Sequence, residues 1–307
     1  MTDTVIRTTR LTKQYGDRKA VDELNMTVKQ GQIYGFLGQN GAGKTTTIRM
    51  LLGLIRPTSG SIEIFGEAMP AKQKEILRRI GSIVEFSGFY ENLTARENLE
   101  INARLMGVHK KTAIEDALEI VALQGETSKQ VGQYSLGMKQ RLGIARSIVH
   151  HPELLVLDEP TNGLDPIGIK EIRGMIKSLA KERQMTILIS SHILTEVEQL
   201  ADQIGIIHQG KLLEEISLEE LRTRNRRYLE FQVSQDNKAA MLLEKHFGIH
   251  DYEVGSEGKI RIYSHLGQQG QLNKLFVEHG IEVTRIALSE DRLEDYFVKL
   301  IGGGTIG

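Results

Sequence analysis

The sequence predicts an α/β fold: a mixed sheet with an antiparallel β subdomain and an inserted helical subdomain, followed by a small α+β domain. Three observations predict it. Short continuous apolar runs at Ile33 to Leu37, Leu154 to Leu157 and Ile187 to Ile189 suit strands covered on both faces in a parallel sheet. Helical patterns lie between them, such as Ile48, Leu51, Leu52 and Ile55, and strand–helix–strand alternation marks an α/β domain. Apolar residues also alternate at Leu24, Met26 and Val28 and at Ile62 and Ile64, as in half-buried antiparallel strands.

From about Ser87 to His151 the pattern changes. Leu93 to Met106, Thr112 to Leu123 and Leu136 to His150 are helical in period or propensity, which predicts a helical subdomain over about 87–151. Ile204 to Glu214 reads as two short strands around Gln209-Gly210. The basic run Arg222 to Arg227 marks a boundary, so the first domain is expected over 1–222 and an accessory α+β domain over 226–307. In the latter, Leu229, Phe231 and Val233 alternate, Lys238 to Phe247 is helical, and Ile260 and Ile262 alternate again. Leu272, Leu275 and Phe276 have helical spacing, and Ile281 and Val283 begin another strand. The expected order is βαββαβ, closed by an amphipathic helix with Leu293, Tyr296, Phe297 and Leu300 and a loose tail at Gly302-Gly303-Gly304.

Composition narrows the function. With 307 residues, 40% of them hydrophobic, the chain can bury one large core plus a small one. Lys+Arg is 39 against 40 for Asp+Glu, so the basic excess that usually accompanies nucleic-acid binding is missing and no such partner is expected. Without cysteine, disulfides and thiolate metal sites are excluded. The opening MTDTVIRTTRLTKQYG is polar and basic where a secretory signal would be apolar. No run approaches the ~18 apolar residues of a membrane span. The expectation is a cytoplasmic protein whose partner does any work inside the membrane.

Gly38-Gln39-Asn40-Gly41-Ala42-Gly43-Lys44-Thr45 fits the G-x-x-x-x-G-K-[ST] phosphate loop, and it stands between an apolar strand and a helical pattern as that loop requires. Its glycines let successive N–H groups surround phosphate oxygens, and the helix N-terminus adds its positive end. Gly38, Asn40, Gly41, Gly43, Lys44, Thr45 and Thr46 are therefore the candidate phosphate contacts. Lys44 would reach the β- and γ-phosphates and Thr45 would ligate Mg²⁺. Alone, the loop leaves kinase, GTPase and ATPase open.

The apolar strand at Leu154 ends in Asp158-Glu159. Successive strand residues point to opposite sides, so Asp158 can face a Mg²⁺ shell while Glu159 faces the γ-phosphate and its attacking water. Ser190-Ser191-His192 ends the next apolar run, and ligands collect at the carboxyl ends of parallel strands. By position alone His192 is as readily an ordinary surface residue as a functional one.

Taken in order, the phosphate loop, Tyr134-Ser135-Leu136-Gly137-Met138-Lys139-Gln140, Asp158-Glu159, Gly163-Leu164-Asp165 and His192 resemble the nucleotide-binding domains of ABC transporters, over about residues 4 to 220. The resemblance implies a P-loop ATPase core that binds ATP and Mg²⁺. Tyr15 matches the aromatic that stacks on adenine. Ser135 and Gly137 match the signature that meets the γ-phosphate held by a second copy; Ser135 is also placed to N-cap the helix running to His150. Asp165 matches the loop joining the two sites of the dimer, and His192 the histidine that touches the γ-phosphate. Glu159, His192 and Lys44 are the expected catalytic groups.

Two departures stand out. Leu136 and Met138 replace the usual Gly and Gln of the signature, and Ile83-Val84-Glu85-Phe86 has Glu where that loop normally has Gln. Glu85 keeps an oxygen that Mg²⁺ accepts, and is a candidate metal ligand beside Thr45 and Asp158. The phrases Ile80-Gly81-Ser82 through Phe89-Tyr90-Glu91-Asn92-Leu93-Thr94, YSLGMKQRLGIA and Leu293-Glu294-Asp295-Tyr296-Phe297 resemble the bacitracin-resistance and lantibiotic-immunity exporters. The implied function is ATP hydrolysis that drives export of a peptide antibiotic or other drug-like compound. The implied partners are a second copy of the chain and a separate transmembrane permease, which would hold it on the inner face of the cell membrane. A soluble ABC-type ATPase serving assembly or regulation without transport is the alternative, and a non-hydrolysing sensor a third reading.

Overall fold

Chain order explains the layers of the first unit, Met1–Leu218, in a computed structural model that describes residues 3–85, 88–110, 112–224, 227–290, 296–297 and 300. Strands β1 (Thr4–Tyr15), β2 (Arg18–Leu24) and β3 (Thr27–Lys29) lead into β4 (Ile33–Leu37) and helix α1 (Lys44–Leu51). Next come β5 (Ser59–Ile64), β6 (Glu67–Met69), α2 (Gln73–Leu77) and β7 (Ile80–Ile83). The helices α3 (Ala95–Leu105), α4 (Thr112–Ile120) and α5 (Leu136–Ile148) are inserted before β8 (Leu154–Asp158). The unit continues with α6 (Pro166–Arg183), β9 (Thr186–Ser191), α7 (Leu194–Leu200), β10 (Gln203–His208) and β11 (Lys211–Ser217).

The central sheet has the order β11-β10-β4-β9-β8-β7, parallel from β10 to β7, with β11 antiparallel at its edge. Every residue of β4, β8 and β9 is buried, which is why Ile33 to Leu37, Leu154 to Leu157 and Ile187 to Ile189 are continuous apolar runs within them. Alternate residues serve different layers. Leu155, Leu157, Ile187 and Ile189 pack with Leu142 of α5 and Ile172 and Ile176 of α6. Leu154, Val156, Leu188 and Phe36 pack instead with Ile48 of α1 and with Ile6, Leu11 and Ile62 of a second, antiparallel sheet ordered β2-β1-β5-β6. Each such fully buried side chain contributes about 1.5–3 kcal/mol relative to exposure.

The antiparallel sheet departs from its sequence pattern. Leu24, Met26 and Val28 predict one strand, but β2 ends at Leu24 and β3 begins at Thr27. Thr8 causes the break: its hydroxyl donates to Leu24 O at 3.0 Å and accepts from Met26 N at 2.9 Å, replacing a ladder bond with a side chain. The 12-residue β1 carries register shifts toward β2, β3 and β5 and a left-handed Arg10 (φ 44°). Each shift reverses which face the following residues occupy, so no period of two survives in its sequence.

His150, just beyond α5, has a consequence for stability. Its Nε2 lies 3.1 Å from Ile80 O, and its buried Nδ1 has no hydrogen-bond partner among the described residues. Burial holds its pKa below the usual histidine value. The unfolded chain therefore takes up this proton first as the pH falls, so the contribution of His150 is present above ~6.5 and is lost below it. Urea midpoints of the wild type should drop between about pH 7 and pH 5, and those of His150→Gln should drop less.

The second unit, Glu219–Gly307, has its own core. After α8 (Leu218–Arg224) it runs β12 (Arg227–Val233), α9 (Asp236–Phe247), β13 (Tyr252–Val254), β14 (Lys259–Ile262), α10 (Gln269–Glu278) and β15 (Val283–Glu290). All neighbours in the sheet order β13-β14-β12-β15 are antiparallel, the split-βαβ arrangement. Leu229, Phe231, Ile260 and Ile262 pack under Leu243 of α9 and Phe276 of α10. Of the expected terminal helix, Tyr296, Phe297 and Leu300 are helical; Leu293 and the tail at Gly302-Gly303-Gly304 lie outside the described residues. So do Phe86, Ser87, Asn225 and Arg226.

Candidate functional site

The loop between β4 and α1 is shaped by close backbone contacts. A Cβ on Gly38 would stand 2.5 Å from Ile207 O, and one on Gly43 would stand 2.5 Å from Ala20 O. Gly43 also has φ 114°, which residues with side chains rarely adopt. It caps α1 with no side-chain hydrogen bond and no acidic residue in the first turn, leaving the helix N-terminus to an anion. Gly43→Ala should cost about 1–3 kcal/mol through backbone strain. It should lower both the melting temperature and nucleotide affinity, read by thermal denaturation and by titration with a fluorescent ATP analogue.

Lys44 is nearly buried. Its Nζ donates to Gly38 O at 2.6 Å and stands 3.1 Å from Glu159 Oε1. Thr45 and Thr46 line a cleft of about 420 Å³ with Tyr15, Asn40, Gly41, Gly43, Lys44 and Glu159. Tyr15 is 52% exposed, with the Lys13 ammonium 5.0 Å from its ring centroid, so an open aromatic surface borders the phosphate loop. Arg18 and Ala20 of β2 also line the cleft. The sequence reading missed both, because no motif marks a strand that merely passes the site.

The carboxylates are held by the next strand. Ser190 Oγ donates to Asp158 Oδ1 at 2.5 Å and accepts from Glu159 N at 3.0 Å. Asp158 is 4% exposed at the last position of β8, whereas Glu159 turns into the left-handed region (φ 49°) and swings out. Its Oε2 lies 2.8 Å from His192 Nδ1 and its Oε1 faces Lys44. One carboxylate thus joins the phosphate-loop lysine to the histidine at the end of β9. The left-handed turn at Glu159 is what separates its direction from that of Asp158.

Three candidates lie elsewhere. Ser135 caps α5, its Oγ accepting from Met138 N at 3.3 Å, and Gly137 sits in the first turn behind it. Asp165 caps α6, its Oδ1 accepting from Gly168 N at 2.8 Å. None of the three lines the cleft or bonds to the phosphate loop among the described residues. Leu136, where the signature usually has Gly, lies over Gly163: a Cβ there would stand 3.2 Å from Leu136 Cδ2. Glu85 pairs with Arg49 in the last turn of α1, with φ 60°, and it does not line the cleft that contains Thr45.

The ABC transporter family model matches residues 21–162. Over 304 residues, 99% of each chain, the sequence is 72% identical to the bacitracin transport ATP-binding protein BcrA of Bacillus licheniformis. The chain belongs to the ATP-binding subunits of ABC transporters. It is 47% identical over 209 residues to the lantibiotic transport ATP-binding protein SrtF of Streptococcus pyogenes, covering 68% of this chain and 89% of that one. A solved ATP-binding subunit of an ABC transporter superposes with a TM-score of 0.63 at 29% identity, over 72% of this chain and 92% of that one. As an ABC transporter ATP-binding subunit the chain binds and hydrolyses ATP. Among the described residues no helix is long and apolar enough to cross a membrane.

Proposed function

We propose that this chain energises the export of a bacitracin-like peptide antibiotic through a separate membrane permease, working as a pair of copies on the inner face of the cell membrane. The observation that carries the reading is the 72% identity to the bacitracin transport protein across 99% of both chains. Such continuity extends past the ATPase core into the residues of the second unit, which serve as the accessory domain.

In this reading the amides from Gly38 to Thr45 and the Lys44 ammonium hold the phosphates, and Tyr15 takes the adenine ring. The Thr45 hydroxyl and the Asp158 carboxylate are hard oxygen donors, as Mg²⁺ requires, and Ser190 already fixes the orientation of Asp158. The ion would neutralise phosphate charge. Glu159 accepts the proton of the attacking water as the bond from the γ-phosphorus to the β-phosphate oxygen breaks. His192, 2.8 Å from Glu159, holds that carboxylate in place and keeps Nε2 for the γ-phosphate. Glu85 would join the metal only by leaving Arg49. The separation of Ser135, Gly137 and Asp165 from the cleft supports a composite site, in which a second copy brings its signature to the bound ATP.

The test is drug resistance in cells. Expressed with its permease in a bacitracin-sensitive host, the wild-type chain should raise the inhibitory concentration of bacitracin, and the Glu159→Gln chain should not. Equal resistance with both chains, or none with either at confirmed expression, would reject the proposal.

A further inference from the structure

Behind the His192 loop lies a buried carboxylate that the reaction does not use. Glu196 of α7 is 9% exposed, and a single one of its oxygens, Oε2, accepts from Thr161 Oγ1 at 2.6 Å and from Ser191 Oγ at 3.1 Å. Thr161 and Ser191 are themselves 5% and 3% exposed. A carboxyl group so deep is costly to bury unless its oxygens find partners, and here two hydroxyls supply them at one oxygen.

What Glu196 joins gives it meaning. On one side Thr161 begins the turn toward Asp165: Leu164 N donates to Thr161 O at 3.2 Å, and Asn162 N donates to Glu159 O at 3.1 Å. On the other side Ser191 Oγ accepts from Ile193 N at 3.0 Å, which shapes the turn that carries His192. The carbonyl of Ser191 accepts from Gly38 N at 3.2 Å, at the first residue of the phosphate loop. The His192 turn and the Asp165 loop therefore meet at one oxygen of Glu196 through Ser191 and Thr161, and the Ser191 carbonyl links the first of these to the start of the phosphate loop. The neighbouring Ser190 points the other way and serves Asp158 and Glu159 instead.

We propose that Glu196 is a positioning residue that couples the His192 turn to the Asp165 loop, so that nucleotide bound in one copy sets the surface offered to the other. The proposal rests on the composite-site reading above. Glu196 does not line the cleft that contains Thr45; it acts through Ser191 and Thr161. Two loops tied to one buried group move together, which is the physical requirement for coupling between sites.

Three variants of the full-length chain test this, with ATP titrations of phosphate release and direct binding of a fluorescent ATP analogue. Glu196→Ala should lower kcat about tenfold or more and bring the Hill coefficient toward one, an effect within the usual range of coupling between sites. Its ATP affinity should stay within about threefold of wild type, because the phosphate loop keeps its own contacts. Glu196→Gln, which still presents an oxygen to both hydroxyls, should recover most of the loss. Thr161→Val removes one donor at nearly constant shape and should shift kcat in the same direction, even if Glu196→Ala folds poorly. The double variant should be no worse than Glu196→Ala alone, as expected for partners in one interaction. Wild-type kcat and Hill coefficient in Glu196→Ala or Thr161→Val, or Glu196→Gln no better than a folded Glu196→Ala, would overturn the proposal. Lys44→Ala in the same assays separates the two levels. If it binds and hydrolyses ATP normally, the site reading itself fails; if it is inactive while the Glu196 and Thr161 variants behave as wild type, only the coupling fails.

Discussion

Lys44→Ala should lower ATP affinity by about 10²- to 10³-fold, which is the loss expected when one partner of a buried charge pair is removed, at 1.4 kcal/mol per decade. Two effects add. The phosphates lose the ammonium set at the mouth of α1, and Gly38 O and Glu159 Oε1 lose the donor that stands 2.6 and 3.1 Å from them. Because Glu159 then keeps His192 alone as a side-chain partner among the described residues, its carboxylate should repel the nucleotide as well. Calorimetric titration of the purified chain with MgATP measures the effect directly. Affinity equal to wild type would remove the phosphate loop from the account.

Glu159→Gln should reduce turnover by about 10²- to 10⁴-fold, the usual contribution of a general base. Binding should behave differently. The amide keeps the shape of the side chain and its contact with His192, while Lys44 is released from its ion pair. ATP affinity should therefore equal or exceed that of the wild type, and the ATP-bound state should accumulate. Single-turnover phosphate release, set beside equilibrium binding, distinguishes this from a folding defect, which would lower both.

Local steric demand explains why the centre of the site is legible in sequence. Gly38 and Gly43 are required by backbone atoms of other strands, and the apolar strand before Asp158-Glu159 is required by burial on both faces. Three of the groups follow strands of one parallel sheet, so chain order alone predicts that they share an edge. Less local features left no pattern. β1 hides its alternation behind bulges. Glu196 meets Thr161 across 35 residues, and Arg49 meets Glu85 across 36, and nothing in composition singles out either pair. The pairing of Glu85 has a chemical logic of its own. Replacing the usual Gln with Glu adds a negative charge beside the phosphate-loop helix, and Arg49 in the last turn of that helix balances it.

Sedimentation velocity of the Glu159→Gln chain, titrated with MgATP, bears most directly on the composite site. Saturating MgATP should convert monomer to dimer with one nucleotide per chain, and Ser135→Arg placed in the same background should abolish the dimer while each chain still binds ATP. A protein that remains monomeric when saturated, or one whose dimer is indifferent to Ser135→Arg, would contradict a site completed by the signature of a second copy.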